Sequence, residues 1–250
     1  MGNRFWEIDS LRGVAVVAMI VFHLTFDLAY FDIYPVKMDG GFWWLFARVT
    51  ASAFVFLAGL ALTLSYARAS KKLSGVQLAA KYFGRGAFVF CLGLLLTAFT
   101  FVFMNSGVIW FGILHEIGIA TILGYLLLRY GNPRLTLLLS IVIIAAGLYL
   151  STLRFDFSWL FWLGFVPQNL VSFDYVPLLP WFGVFALGMV VGSWLYPDGS
   201  RSFKLPELGN ALPIRILCFL GSNSLLIYFL HQPILIATLY LLFPGIHLFF

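Results

Sequence analysis

The chain has 250 residues, of which 62% are hydrophobic and 10% are charged, and its mean hydropathy is +0.99. Soluble domains are about 45–50% apolar and about 25% charged, so this composition excludes a water-soluble protein. The net charge of +5 does not indicate nucleic-acid binding, because the basic residues lie between apolar segments, where they orient a membrane protein. We therefore expect a single all-α membrane domain over residues 1–250, a multi-pass helical bundle surrounded by lipid in the cell (plasma or inner) membrane. Whether the protein forms a homo-oligomer is left open by the sequence.

Seven segments are long enough to cross a bilayer, since a spanning helix needs about 20 apolar residues. In chain order they cover residues 11–30, 42–66, 86–104, 110–128, 135–152, 178–196 and 224–243. An N-terminus in the cytoplasm and a C-terminus outside put twelve lysines and arginines, Arg4 and Arg12 among them, on the inner side and only Lys37 and Arg154 outside. This bias predicts seven spans, N-in and C-out.

Two connecting segments are unusual. The segment 206–222 is apolar enough for an eighth span, but Pro213, Arg215 and Gly221 interrupt it, so we predict a short interfacial helix. The loop 153–177 is long and rich in tryptophan and phenylalanine, which is typical of an interfacial belt or of a helix on the membrane surface.

Ionisable residues inside the spans are the strongest functional signal, because burying them in hydrocarbon is costly. His23 lies about 18 Å from the inner end of the first span, and Asp27 follows on the same helical face. The same rise per residue puts Arg48, His115 and Glu116 about 8–9 Å from the outer surface and His231 about 10 Å from the inner one, below His23. The sequence therefore predicts one polar layer in the outer half of the membrane, with His231 on its cytoplasmic side.

Some of these residues also have a purely structural interpretation. Arg48 could pair with Asp27 or Glu116, and His115 could be a satisfied interfacial histidine. His231 could bond backbone carbonyls that Pro233 frees in the last span. A second basic group at the inner surface, Arg12, Lys81 and Arg85, fits either an anionic ligand or simple membrane anchoring.

Several motifs carry a resemblance to a known family. The start, EIDSLRG…VFH with Arg12 and His23, resembles the first helix of the transmembrane acyltransferases, acyltransferase-3 proteins among them. The end, LGSNSLLIYFLHQP, resembles their last-helix motif. The segments FVFLAGLALTLSYARA, FGILHEIGIA and LLPWFG between them resemble bacterial and archaeal relatives of heparan-α-glucosaminide N-acetyltransferase. His115 stands where the lysosomal enzyme of that family has glutamine.

The resemblance implies transfer of an acetyl group from cytoplasmic acetyl-CoA to a glycan or amino-sugar acceptor on the outer side, without a metal. CoA phosphates need cationic groups and helix N-termini, and the resemblance suggests residues at the inner face for this role: Arg12, Lys81, Arg85, Gly221, Ser222, Ser224 and Tyr228. His23 would act as a general base or as a nucleophile, oriented by Asp27. Arg48, His115 or His231 would stabilise the oxyanion, and Glu116 belongs to the same catalytic layer.

Two other functions remain open from the sequence. A proton-coupled or ion-coupled transporter could use His23, Asp27, Arg48 and Glu116 as a relay, although no internal repeat of the kind common in transporters is visible. A structural subunit would explain the hydrophobicity but not the layered charges. The sequence fixes neither the acceptor nor the length of the acyl chain.

Overall fold

A computed structural model describes residues 5–104 and 107–244, so Arg4 of the predicted inner side lies outside the described residues. Within this part of the chain there are eight α-helices and no strand. They are α1 (Trp6–Tyr30), α2 (Gly41–Ala69), α3 (Gly75–Phe103), α4 (Ile113–Tyr130), α5 (Pro133–Leu150), α6 (Leu178–Leu195), α7 (Leu212–Ser222) and α8 (Ser224–Leu242). All of them except α7 are long and apolar enough to cross a membrane. The prediction of an all-α membrane bundle with seven spans is confirmed.

The helix ends differ from the predicted spans where polar residues lie at a terminus. Helix α3 begins at Gly75, eleven residues before the predicted start, because Ser74 caps it by accepting a hydrogen bond from the Gln77 N–H at 3.4 Å. A prediction from hydropathy detects only the apolar part of a helix and misses polar extensions of this kind. Lys81 and Arg85 therefore lie within α3 rather than in a loop.

The chain divides by its internal contacts into two compact units, residues 1–54 with 205–250 and residues 55–204, and α2 continues from one into the other. The first unit holds α1, the start of α2, α7 and α8. The second holds the rest of α2 and α3 to α6. That the whole chain is a single domain stays a prediction.

Contacts inside the second unit agree with alternating spans. At one end, Lys71 Nζ donates to the Asp198 carbonyl at 2.8 Å, and Arg129 reaches the Gly75 carbonyl at 3.5 Å. These four residues come from segments predicted to lie inside. At the other end, segments predicted to lie outside meet, since the Val176 N–H donates to the Phe111 carbonyl at 2.9 Å.

The two unusual segments, 206–222 and 153–177, fold in different ways. The segment 206–222 contains the short helix α7, which packs against α1 and does not form an eighth span. The loop 153–177 has no surface helix beyond the 3-10 turn Phe161–Leu163. Its hydrogen bonds run instead within the loop and to residues 107–113.

Candidate active site

The first unit is assembled around a close crossing of α1 and α7. A Cβ atom at Gly13 would overlap the Leu217 carbonyl, and one at Gly221 would overlap the Asp9 carbonyl, so only glycine lets the two backbones approach this closely. Arg12 lies at the same crossing, with Nη1 3.2 Å from Asp9 Oδ1 and 3.5 Å from the Gly221 carbonyl. The structure thus gives Gly221 and Arg12 a packing role; their predicted role toward CoA stays a prediction.

Two imidazole rings meet where α8 packs on α1. The ring centroids of His23 and His231 are 4.7 Å apart and the rings are edge-on. Each ring bonds a backbone carbonyl of its own helix through Nδ1, His23 to Met19 at 2.9 Å and His231 to Tyr228 at 2.7 Å. Because a carbonyl oxygen only accepts, Nδ1 carries the hydrogen on both rings, and in the neutral imidazole Nε2 is then a free base.

The position of His231 corrects the sequence-based depth. Counting from the span ends placed it well below His23, whereas the two rings are in contact. The reason is α7, which packs against the first turns of α1, so that α8 begins beside the body of α1 rather than at its end.

Pro233 has a smaller influence on His231 than the sequence suggested. The ring bonds the carbonyls of Tyr228 and, at 3.2 Å, Ile227. The carbonyl that loses its helical partner to Pro233 is that of Phe229, four residues earlier. His231 thus bonds backbone carbonyls through Nδ1, although not the one that Pro233 frees, and its Nε2 has no hydrogen-bond partner among the described residues.

Asp27 does not orient His23 as predicted. Its Oδ1 accepts a hydrogen bond from Gln232 Nε2 at 2.7 Å, while the tautomer of His23 is set by the Met19 carbonyl. An i, i+4 spacing puts two side chains on one face but does not decide which partner each one takes. Gln232 was missed in the sequence, although its place beside His231 in an apolar span was a usable signal.

Three buried polar atoms of this cluster have no hydrogen-bond partner among the described residues: Asp27 Oδ2, His231 Nε2 and Gln232 Oε1. Asp27 is 2% exposed and His231 7% exposed. Buried polar groups in native proteins are paired with protein, water or a ligand almost without exception, so atoms without a protein partner mark a place where water or a ligand can bind. Three such atoms on two facing helices form the strongest candidate binding site in the first unit.

Arg48 stacks on an aromatic ring. Its guanidinium carbon lies 4.2 Å from the centroid of the Trp44 ring, one helical turn earlier on α2. Arg48 makes no ion pair with Asp27 among the described residues, so that structural alternative is not observed. Within the first unit, the Arg48 guanidinium therefore contacts an aromatic ring rather than a carboxylate.

His115 lies in the first turn of α4, in the second unit, because that helix begins at Ile113 rather than at residue 110. Its Nδ1 accepts a hydrogen bond from the Gly112 N–H at 3.1 Å, so Nε2 carries the hydrogen in the neutral ring and faces Thr97 Oγ1 at 3.4 Å. The side chain is 1% exposed. Both ring nitrogens are engaged in holding the start of α4 against α3, which supports the structural interpretation of His115.

Glu116 follows in the same turn. It is 0% exposed, and neither carboxylate oxygen has a hydrogen-bond partner among the described residues. The catalytic role predicted for Glu116 therefore has no hydrogen-bonded partner in the described residues and stays a prediction.

The predicted CoA-binding residues lie in both units. In the second unit Lys81 and Arg85 are exposed on α3, with Lys81 Nζ 5.3 Å from the Tyr82 ring centroid. In the first unit, Ser222 ends α7, Ser224 begins α8, and the Tyr228 ring lies 5.8 Å from His231. Their role toward CoA is untested.

A cavity of about 320 Å³ lies beside the α1–α7 crossing, lined by Trp6, Asp9, Gly209, Cys218, Phe219 and Ser222. Cys218 Sγ donates to the Trp6 carbonyl at 3.3 Å, and burial, together with the nearby Asp9 and Glu7 carboxylates, raises the pKa of its thiol. The thiol is therefore held protonated, which makes it a poor nucleophile.

One family model matches this chain, over residues 4–233, and its description is heparan-alpha-glucosaminide N-acetyltransferase, catalytic. The matched range includes His23, Asp27, His231 and Gln232. Comparisons with curated proteins and with solved structures each gave no significant match. Because the family model covers nearly the whole chain, the protein belongs to the heparan-alpha-glucosaminide N-acetyltransferase catalytic family, and it is a multi-pass membrane acetyltransferase.

Proposed function

We propose that the protein transfers an acetyl group from cytoplasmic acetyl-CoA to a sugar-like amine or hydroxyl acceptor on the outer side of the membrane. Beside the family assignment, one structural observation supports this proposal most strongly. Two imidazoles meet on facing helices and both use Nδ1 for a backbone carbonyl, while the buried His231 Nε2 and Asp27 Oδ2 have no hydrogen-bond partner among the described residues. Such a cluster can take a proton from an acceptor in a water-poor site.

The proposed step is direct transfer. His23 Nε2 accepts the proton of the acceptor N–H or O–H while the acceptor atom forms a bond to the thioester carbonyl carbon. The tetrahedral intermediate then collapses, the carbon–sulfur bond breaks, and the CoA sulfur leaves with the proton held by the imidazole. The products are the acetylated acceptor and CoA with a free thiol, so neither an oxidant nor a metal is required.

The neighbours of His23 have separate roles in this proposal. His231 Nδ1–H is committed to the Tyr228 carbonyl, so its neutral ring presents an acceptor and cannot donate to the oxyanion. The oxyanion role therefore passes to a cation, and Arg48 is the candidate in the first unit. Asp27, held by Gln232, keeps Oδ2 available to bind the amine or hydroxyl of the acceptor.

Donor binding follows from charge. The phosphates of CoA need cations, and the candidates are Arg12 in the first unit, which is shared with Asp9, and separately the exposed Lys81 and Arg85 in the second unit. The N–H groups at the start of α8, including that of Ser224, can complement a phosphate if it reaches them. The long pantetheine arm would carry the thioester from the start of α8 toward the histidines.

Purified protein in lipid nanodiscs tests the proposal by acetyl-CoA calorimetry and by transfer of a labelled acetyl group to methyl glucosaminide. We expect binding of acetyl-CoA and appearance of labelled acetylated sugar. Absence of both, with substrate-dependent proton movement in proteoliposomes, would overturn the proposal in favour of a transporter. Label trapped on the protein without acceptor would replace the direct step by an acetyl-histidine intermediate.

A further inference from the structure

The loop between α5 and α6 is held at the end of three membrane spans. It joins two of them, and its Asp174 Oδ2 accepts a hydrogen bond from the Ile113 N–H at 2.9 Å, at the first residue of α4. Two tryptophans of the loop, Trp159 and Trp162, are exposed. Tryptophan concentrates in proteins where a bilayer has its headgroups. The loop therefore lies at the level of the lipid headgroups.

Aromatic contacts position the rings at this end of the second unit. The ring centroids of Phe161 and Phe111 are 6.5 Å apart, and those of Trp110 and Phe101 are 6.1 Å apart, both pairs edge-on. Tyr175 Oη donates to the Phe161 carbonyl at 2.7 Å. Trp110 and Phe161 are thus held in place by their neighbours in the protein.

The loop and Trp110 enclose an open cavity of about 560 Å³, within the roughly 300–1,000 Å³ typical of small-ligand sites. Its lining combines aromatic rings with polar side chains, among them Trp110, Phe157, Phe161, Asp156, Gln168 and Asn169. Gln168 Nε2 donates to Asp156 Oδ1, whereas Asp156 Oδ2 and the Asn169 amide make no hydrogen bond to a described residue. A carboxylate oxygen and an amide oxygen are therefore available to a hydrogen-bond donor.

A cation lies at the edge of this cavity. Arg154 comes directly before the lining residue Phe155, and its Nη1 donates to two nearby backbone carbonyls at 2.9 and 3.1 Å. Burial raises the pKa of Tyr175 to about 12, and the charge of Arg154 acts against this rise, so the guanidinium is close to the Tyr175 hydroxyl. That hydroxyl bonds the backbone of Phe161, which lines the cavity. The cavity thus has a carboxylate in its wall and a guanidinium at its edge.

We propose that this cavity binds the headgroup of a phospholipid that carries a primary ammonium group, phosphatidylethanolamine. A cation is attracted to the face of an aromatic ring, most strongly to that of tryptophan, and Trp110 provides such a ring. The ammonium group can also donate to Asp156 Oδ2 and to the Asn169 amide oxygen. The headgroup phosphate, two carbons away from the ammonium, is matched by the guanidinium of Arg154.

The polar lining favours ethanolamine over other common headgroups. A trimethylammonium group, as in choline, has no N–H and cannot use the two available oxygens, whereas a primary ammonium has three donors. A phosphatidylglycerol headgroup has the phosphate but no cation, so the Asp156 carboxylate would repel it. All residues of the cavity belong to the second unit, so the inference goes beyond the proposed function and does not depend on it.

Native mass spectrometry of the full-length protein in detergent, titrated with phospholipids of identical acyl chains, tests the inference. We expect phosphatidylethanolamine to bind the wild-type protein more tightly than phosphatidylcholine or phosphatidylglycerol. Trp110→Ala should raise the dissociation constant of phosphatidylethanolamine about fivefold, because it removes a cation–π contact. Trp159→Ala is the matched control and should leave that constant unchanged, since Trp159 is 71% exposed in the adjoining loop and does not line the cavity.

Asp156→Asn provides a second, milder variant that keeps the shape of the side chain. It should weaken phosphatidylethanolamine binding about fivefold without weakening phosphatidylglycerol binding, because only the first lipid has an ammonium group. Arg154→Gln should weaken the binding of both lipids, since both carry a phosphate.

Three results would each overturn the inference: equal affinities for phosphatidylethanolamine in Trp110→Ala and Trp159→Ala, an equal loss of both lipids in Asp156→Asn, or tighter binding of phosphatidylcholine to the wild-type protein. None of these measurements involves acetyl transfer, so such a result would leave the proposed function standing.

Discussion

Gln232 offers the sharpest test of the site, because its side chain makes the single hydrogen bond that Asp27 receives from another described side chain. Gln232→Leu keeps the approximate volume of the side chain but removes the donor, so both oxygens of the Asp27 carboxyl, which is 2% exposed, lose every hydrogen-bond partner among the described side chains. Interhelical hydrogen bonds in membranes average about 0.6 kcal/mol and reach about 1.7 kcal/mol. Because the Asp27 carboxyl has no alternative donor among the described side chains, we expect the loss of this hydrogen bond to cost an amount near the upper end, about 1.5 kcal/mol.

If Asp27 contacts the acceptor, that loss should appear as a roughly tenfold fall in kcat/KM for the acceptor, with acetyl-CoA affinity unchanged. Steady-state transfer assays and calorimetry on the same preparation measure the two quantities. A double-mutant cycle with Asp27→Asn should show that the two changes are not additive. Gln77→Leu is the matched control, since its amide caps the exposed start of α3, and it should leave transfer unchanged. Full activity in Gln232→Leu would refute the reasoning.

Three further predictions concern helix packing, capping and the cysteine. Gly221→Val should separate α7 from α1, cost about 1–3 kcal/mol of stability and lower transfer activity. Gly84→Val is the control and should keep its activity, because open space surrounds that position. Equal activities of the two variants would contradict the packing argument. Ser74→Ala should cost about 1 kcal/mol of stability in a denaturation assay, and an unchanged midpoint would exclude the cap. Cys218 can be labelled alone with maleimide in a Cys91→Ser background. Because the raised pKa of Cys218 leaves little thiolate, labelling should be slow at pH 7 and should keep accelerating above the pH at which a free thiol is fully ionised. The pH profile of a free thiol would refute this prediction.

The sequence predicted the membrane fold well because hydropathy and charge act over whole segments. Seven spans need only about 20 apolar residues each, and the twelve-to-two distribution of basic residues follows from one topology. Helix ends were less predictable. Ser74 and Gln77 form a capping box among polar residues, so a search for apolar segments does not detect the helix start there.

The candidate site was predicted in its residue types and missed in its pairings. An intramembrane histidine on each of two helices was visible as HLTFD and YFLHQP. Their contact was not, because the level of α8 depends on how Gly221 packs against Asp9, which sequence spacing does not record. The same limit applies to Asp27, whose partner Gln232 lies 205 residues away.

The measurement that tests the central claim most directly is the transfer rate of His23→Ala, with acetyl-CoA binding recorded on the same sample. Loss of a general base lowers a rate by about 10²–10⁴-fold, so we expect a fall in that range with an unchanged affinity for acetyl-CoA. A wild-type rate in a variant that still binds acetyl-CoA would contradict the role of His23 as the general base.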